Sequence, residues 1–235
     1  MDIGGQSNKY MQFRKDPLEN NCYYHVFSRS IAKFVVFNNP AEFSRMMGLL
    51  NIYNFTEFTY KYSRFCEFDL EKRISIIKGL ETSSPKYVEI IAYCLMPTHF
   101  HLILKQQQSN GISHFIAKIL NSYSRFFNTT HRRTGPLWSG RFKSVLISND
   151  EQLLHLTRYV HLNPTSANLI DDPEMWPYSS YMEYIDKDST QNSLCSFEKV
   201  INTTPEIYKK FVLDQKDHQR QISLIKNLLI DDYTG

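Results

Sequence analysis

The chain has 235 residues, 42% apolar, 14% aromatic and 22% charged, too apolar for a disordered tail and long enough for a substantial core. Its four cysteines, Cys22, Cys66, Cys94 and Cys195, contain no Cys-x-x-Cys pair, so they support neither a thiolate zinc site nor a disulfide framework. The formal charge of +3 is bland in sum, but its distribution is not.

The first residues, Met1-Asp2-Ile3-Gly4-Gly5, lack the basic stretch and apolar run of a signal peptide. The longest apolar run, Ile90 to Met96, is about a third of a membrane span. The expected setting is reducing and soluble, without a membrane partner. Cys22 to Ser30 is aromatic and β-branched and reads as a strand, with a second extended piece at Phe34 to Phe37. Asn39-Pro40-Ala41-Glu42 is a helix start, with Asn as cap, Pro in the first turn and Glu at the third position. Phe43, Met46, Met47, Leu50 and Tyr53 continue it at helical spacing. Residues 61 to 85 are ambiguous, with a helix followed by the polar loop Glu81 to Lys86 as one reading.

Tyr87 to Met96 is almost wholly apolar and reads as a buried central strand. Pro97-Thr98 breaks it, and His99 to Leu104 resumes with period two. Gly111 opens an amphipathic helix with the stripe Ile112, Phe115, Ile116, Ile119, Leu120, Tyr123 and Phe127. Leu137 to Ile147 reads as a short hairpin or two extended pieces around Gly140. Ser148-Asn149-Asp150-Glu151 resembles a capping box for a helix that should stop near Asn163, before Pro164. Helical patterns recur near 205–214 and 217–230, after a polar linker from Asp186 to Ser193. This order implies an α+β fold, an antiparallel sheet with helices packed on it, plus a helical C-terminal extension. The natural partition is a main domain over 1–181, its core about 20–165, followed by 182–235.

Between Glu89 and Asp150 there is no acidic residue, while Lys105, Lys118, Arg125, Arg132, Arg133, Arg141 and Lys143 all fall there. Such a block suits a polyanion, the alternative being a solvated basic face. Within it His99 and His101 flank Phe100 on one strand, so both imidazoles share a face and can close on one divalent metal. A structural or merely exposed pair is the other reading. On the helix after Asn149, Leu153, Leu156 and Val160 form the packing stripe, while Gln152, His155, Tyr159 and Asn163 share a polar face. There Tyr159 is either a reactive phenol or an edge-packing residue with Asn163 as helix cap.

Three stretches in order, Tyr93-Cys94-Leu95-Met96-Pro97-Thr98-His99-Phe100-His101-Leu102, Leu137-Trp138-Ser139-Gly140-Arg141-Phe142-Lys143-Ser144 and Arg158-Tyr159-Val160-His161-Leu162-Asn163-Pro164, resemble the single-tyrosine, IS200-like transposases with a His-hydrophobic-His motif. The REP-associated tyrosine transposases are the branch most like it, and Trp176 to Tyr181 resembles their following segment. Thr98 departs from the Asn often found there. The resemblance implies a ferredoxin-like core and a bacterial, cytoplasmic, nucleoid-associated enzyme. Its activity would be to cleave and rejoin single-stranded, hairpin-forming DNA through a 5′-phosphotyrosine. It makes Tyr159 the nucleophile and His99, His101 and Asn163 the ligands of Mg²⁺ or Mn²⁺. His155 is a candidate for proton transfer or for orienting Tyr159, or else a bystander. Lys118, Arg125, Arg132, Arg133, Arg141 and Lys143 would track the DNA backbone, with Trp138 as a stacking platform or a core residue. A domesticated hairpin-binding protein without cleavage activity and a metal-dependent ribonuclease are the alternatives. Monomer and homodimer both remain open, and with them whether Tyr159 serves its own histidines or a partner's.

Overall fold

The computed structural model describes residues 17–186, 193–197 and 202–214. Four strands, β1 (Tyr23–Arg29), β2 (Val88–Met96), β3 (His99–Gln106) and β4 (Lys143–Ile147), form one sheet in the order β2-β3-β1-β4. All three pairings are antiparallel. Helix α1 (Pro40–Ile52) follows β1, α4 (Gly111–Thr130) connects β3 to β4, and α5 (Asp150–Ser166) follows β4. A β-α-β-β-α-β chain in this strand order is the ferredoxin-like arrangement. Helices α2 (Tyr62–Cys66) and α3 (Leu70–Ser83) are inserted before β2, while α6 (Tyr181–Ile185) and α7 (Pro205–Leu213) come last.

The pleat sorts the core into two layers. Tyr24, Val26, Leu95, Phe100, Leu102 and Leu104 bury one sheet face under α1 and α4. Ile91, Cys94, Met96 and Ile103 bury the other under α5, α6 and α7. Covering both faces is why β2 is apolar from Ile90 to Met96 rather than alternating. The register shift between Ile90 and Ala92 marks a bulge that re-aims its side chains.

Local signals account for the helix starts. Asn39 caps α1 by accepting the Glu42 N–H at 3.1 Å, with Pro40 in the first turn. In α5 Asn149 accepts the Gln152 N–H at 2.8 Å, and the Gln152 amide oxygen accepts the Ser148 N–H at 3.1 Å. At the start of α4 a Cβ on Gly111 would lie 2.4 Å from the Tyr87 carbonyl oxygen, so only glycine fits that approach.

Two sequence expectations are corrected and two open ones are resolved. Phe34 to Phe37 is not a strand; a one-turn 3₁₀ helix (Ile31–Lys33) precedes an irregular stretch hung by two N–H groups on the Pro97 carbonyl. Of Leu137 to Ile147 only β4 is a named strand, Trp138 making an isolated bridge to Ser30. The ambiguous segment 61–85 resolves into α2 and α3. Helix α5 runs past Asn163 to Ser166 with Pro164 inside it. Proline there forfeits the bond to the Val160 carbonyl, a cost of about 3 kcal/mol in an isolated helix. Burial of Leu162 and Pro164 offsets it, and Ala167 resumes the ladder on the Asn163 carbonyl. The pattern near 205–214 is α7; that near 217–230 lies outside the described residues.

Glu42 ties α1 to the end of α4. It is 1% exposed and accepts the Asn38 N–H at 2.6 Å, the Asn38 amide at 3.0 Å and His131 Nε2. Burial raises its pKa, but the Asn38 and His131 contacts outweigh burial and leave it below the usual carboxylate value. A depressed folded pKa gives stability that is full above the unfolded value and lost as pH falls through the folded one. Thermal midpoints should therefore fall as the pH is lowered from 7 to 3, and less steeply for Glu42→Gln.

Candidate active site

His99 and His101 alternate with core residues of β3, so both face the α5 layer as their spacing predicts. Their rings meet at right angles, 5.0 Å between centroids. The stripe Leu153, Leu156 and Val160 seats α5 on the sheet and turns Tyr159 toward the same place. The half-buried Tyr159 ring stands edge-on to His101 with centroids 5.6 Å apart, and to His25 at 6.2 Å.

His25 was missed in the sequence. It is fully buried on β1, where it pairs with Ile103 and so lies diagonally beside His101. His25 Nε2 is 2.9 Å from His101 Nδ1, and the rings stack at 5.1 Å. The signal available was a histidine in phase with Tyr23 and Phe27 on a strand whose other face, Tyr24 and Val26, is core. Seeing its use requires knowing that β1 pairs with β3.

The pair has the chemistry of metal ligands. Burial, with His25 and His99 close by, holds the His101 pKa well below its ordinary value, so the imidazole is neutral at neutral pH. Its Nε2 is buried with no hydrogen-bond partner among the described residues. If that nitrogen keeps its lone pair for a ligand, Nδ1 carries the hydrogen and donates it to His25 Nε2, the outer contact that orients ligating histidines. His99 Nδ1 is likewise engaged by Thr98 Oγ1 at 2.9 Å. The residue at 98 thus orients His99, beyond the turn role its position suggests. Among the described residues no third His, Cys, Asp or Glu completes a cluster with the pair. One turn beyond Tyr159, the Asn163 amide nitrogen donates to the Tyr159 carbonyl at 3.2 Å, which leaves its amide oxygen as a donor atom for a cation. Two imidazoles and an amide oxygen fit a divalent ion that accepts mixed nitrogen and oxygen ligands.

His155, one turn before Tyr159, packs on Phe211 of α7 at 5.4 Å and lies 4.0 Å from Glu151. Three residues flanking Tyr159 fasten α5 to its surroundings. Thr157 Oγ1 donates to the Leu154 carbonyl at 2.8 Å and so accepts the Tyr208 hydroxyl at 2.9 Å. The Tyr208 oxygen then accepts His161 Nδ1–H at 2.8 Å, and His161 Nε2 accepts the Ser180 hydroxyl at 2.8 Å. This one-way order requires a neutral His161, and burial pushes its pKa down to about 3. Arg158 completes the clamp, donating to the Phe211 carbonyl at 3.3 Å with its guanidinium 4.4 Å over the Phe211 ring.

The basic residues divide between two surfaces. Lys143 pairs with Phe27, which pairs with His101, so Lys143 lies in the His101 row two strands away, about 10 Å along the sheet. Arg132 and Arg141 are exposed nearby in sequence, while Arg133 is held by Asn128 at 3.0 Å and the Pro136 carbonyl at 2.8 Å. Lys118 and Arg125 instead line a cleft on the α1/α4 layer. Of the two readings of Trp138 the core one holds and the stacking platform is set aside: at 8% exposure it packs between Phe37, Phe100 and Tyr123 and offers no free face for a base.

Residues 55–163, which contain both histidines, Tyr159 and Asn163, match the family model described as IS200-like transposase. A putative REP-associated tyrosine transposase of Haemophilus influenzae is 27% identical over 103 residues, 40% of this chain and 58% of the relative. The chain thus spans little more than half of that relative's length. The structure of a REP-associated tyrosine transposase bound to a REP hairpin superposes with a TM-score of 0.51 at 13% identity, covering 79% of this chain and 91% of that one. At that identity the likeness is one of fold. Among the described residues no helix is long and apolar enough to cross a membrane. Motifs, the partial family match and the fold are thus similar to those of the IS200-like tyrosine transposases, with a REP-associated member among the matches.

Proposed function

We propose that the protein cleaves and rejoins single-stranded DNA beside a hairpin, with Tyr159 as the nucleophile. One observation carries the reading: residues distant in the chain meet, the Tyr159 phenol standing edge-on to a buried, neutral imidazole at 5.6 Å. His99, His101 and the Asn163 amide oxygen would hold Mg²⁺ or Mn²⁺, which when bound supplies Lewis-acid polarisation of the phosphoryl oxygens. A free phenol has a pKa of about 10, so Tyr159 must give up its proton, to water or a neighbouring imidazole, to attack. The phenolate oxygen bonds to phosphorus as the bond to the 3′ oxygen breaks. The departing oxygen takes up a proton, leaving a 3′ hydroxyl and a 5′-phosphotyrosine. Attack by a 3′ hydroxyl reverses the step and joins strands without an external energy source.

Lys143, in the His101 row, supplies a cation for the backbone on the same side of the sheet, and the exposed Arg141 lies two residues before it in the chain. The hairpin comes from the relative whose structure holds a REP hairpin, and from the acid-free block that suits a polyanion. The test is to incubate the protein with labelled single-stranded DNA, carrying a hairpin and a 5′ flank, and Mn²⁺, then run denaturing gels. Wild type should give a protein–DNA adduct and Tyr159→Phe none. An adduct in Tyr159→Phe, or none in wild type with any hairpin tried, overturns the reading.

A further inference from the structure

The helical layer on the sheet face away from the His pair contains a cleft of about 670 Å³, bounded by α1, α4 and the segment from Tyr53 to Ser63. This volume lies in the roughly 300–1,000 Å³ range of sites that enclose a small organic molecule, room for one or two nucleotides. Its walls combine aromatic rings with Arg45, Lys61, Lys118 and Arg125, and no acidic side chain lines it. Two features show that the walls are built. The Arg45 guanidinium is stacked between the Tyr62 ring at 4.4 Å and the Phe126 ring at 4.8 Å, and its buried Nε has no hydrogen-bond partner among the described residues. Tyr62 in turn sits in a notch over Gly48, where a Cβ would fall 1.8 Å from its hydroxyl. Glycine in mid-helix costs about 1 kcal/mol against alanine, so its presence there serves the seat of Tyr62.

We infer that this cleft binds unpaired nucleotides of a single DNA strand, stacking bases on its rings and setting phosphates against Arg45 and Arg125. Cations held on aromatic faces without a carboxylate attract an anion that has flat faces of its own. An unpaired nucleotide offers both, whereas duplex bases already spend their faces on each other. The cleft therefore grips a strand away from the cleavage centre, where it holds DNA whether or not the phosphodiester is cut. The choice of DNA over RNA rests on the proposed function; the site itself does not.

The test uses the full chain carrying Tyr159→Phe, in EDTA, so that binding is read apart from cleavage and metal. A single-stranded octamer bearing 5-bromodeoxyuridine is cross-linked by ultraviolet light and the attached peptides are mapped. Cross-links are expected within 53–63 or 114–126. Arg125→Gln should weaken octamer binding about fivefold or more, the low end of one stacked base or phosphate contact, and lower the salt slope by about 0.7. Gly48→Ala should weaken it too by displacing Tyr62, with the thermal midpoint showing that the fold persists. Cross-links confined to other peptides, unchanged affinity in both Arg45→Gln and Arg125→Gln, or equal competition by duplex DNA or an acidic peptide overturns the inference. Failure here leaves the Tyr159 adduct assay untouched, so the two readings fall separately.

Discussion

Exchanging His101 for alanine is expected to lower Mn²⁺-dependent DNA cleavage about a thousandfold, the several kcal/mol that a cation supplies at 1.36 kcal/mol per decade. Exchanging His25 for leucine is expected to weaken Mn²⁺ binding about 10- to 100-fold, the usual loss when an outer partner of a ligating histidine is removed. The two effects differ in kind. His101 offers a buried nitrogen with no partner among the described residues, whereas His25 only fixes which nitrogen carries the hydrogen, across a 2.9 Å contact. His25→Gln restores an acceptor and should recover part of the affinity, which a packing role alone does not predict. Titration with Mn²⁺ in the absence of DNA separates the variants. Equal Mn²⁺ affinity in wild type, His25→Leu and His101→Ala would end the assignment of this pair to the cation.

Tyr208→Phe is expected to lower the thermal midpoint by about 2–12 °C. The hydroxyl joins Thr157 and His161 at 2.9 and 2.8 Å inside the packed layer. Removing it leaves a buried acceptor and a buried N–H without partners, at about 1–3 kcal/mol, and each kcal/mol moves the midpoint by about 2–4 °C at this size. Because Thr157 and His161 flank Tyr159 on α5, the same variant should also reduce adduct yield at elevated temperature before the molecule unfolds. In a double-mutant cycle, His161→Leu and Tyr208→Phe should cost less together than the sum of the single losses. Strict additivity would show that the two side chains do not act as one network.

Where a signal is local, the sequence read correctly. Asn39 with Pro40 and Asn149 with Gln152 announce their helices because the capping atoms lie three residues from the amides they accept. Alternation along β3 sorts His99 and His101 from Phe100 and Leu102 for a similarly local reason. What stayed hidden depends on pairing at long range. His25 matters only because β1 lies beside β3, and Trp138 is core only because Phe37, Phe100 and Tyr123 close around it. Pro164 misled because its local cost is real but smaller than the packing of the helix that contains it. Helix α3 was ambiguous since Leu80 is its one buried residue, so it shows little amphipathic contrast. The cleft beside Arg45 was illegible because its walls come from three separate segments.

The central position of β1 has a bearing on synthesis. This strand emerges before those it pairs with, residues 99–106 and 143–147, and the phenol that faces His25 arrives only at residue 159. Such distant pairings are entropically costly and form late. A nascent or truncated chain lacking the last of these segments lacks Tyr159 or the platform that aims it, so the proposed reactivity toward DNA would arise only once translation has delivered the whole constellation.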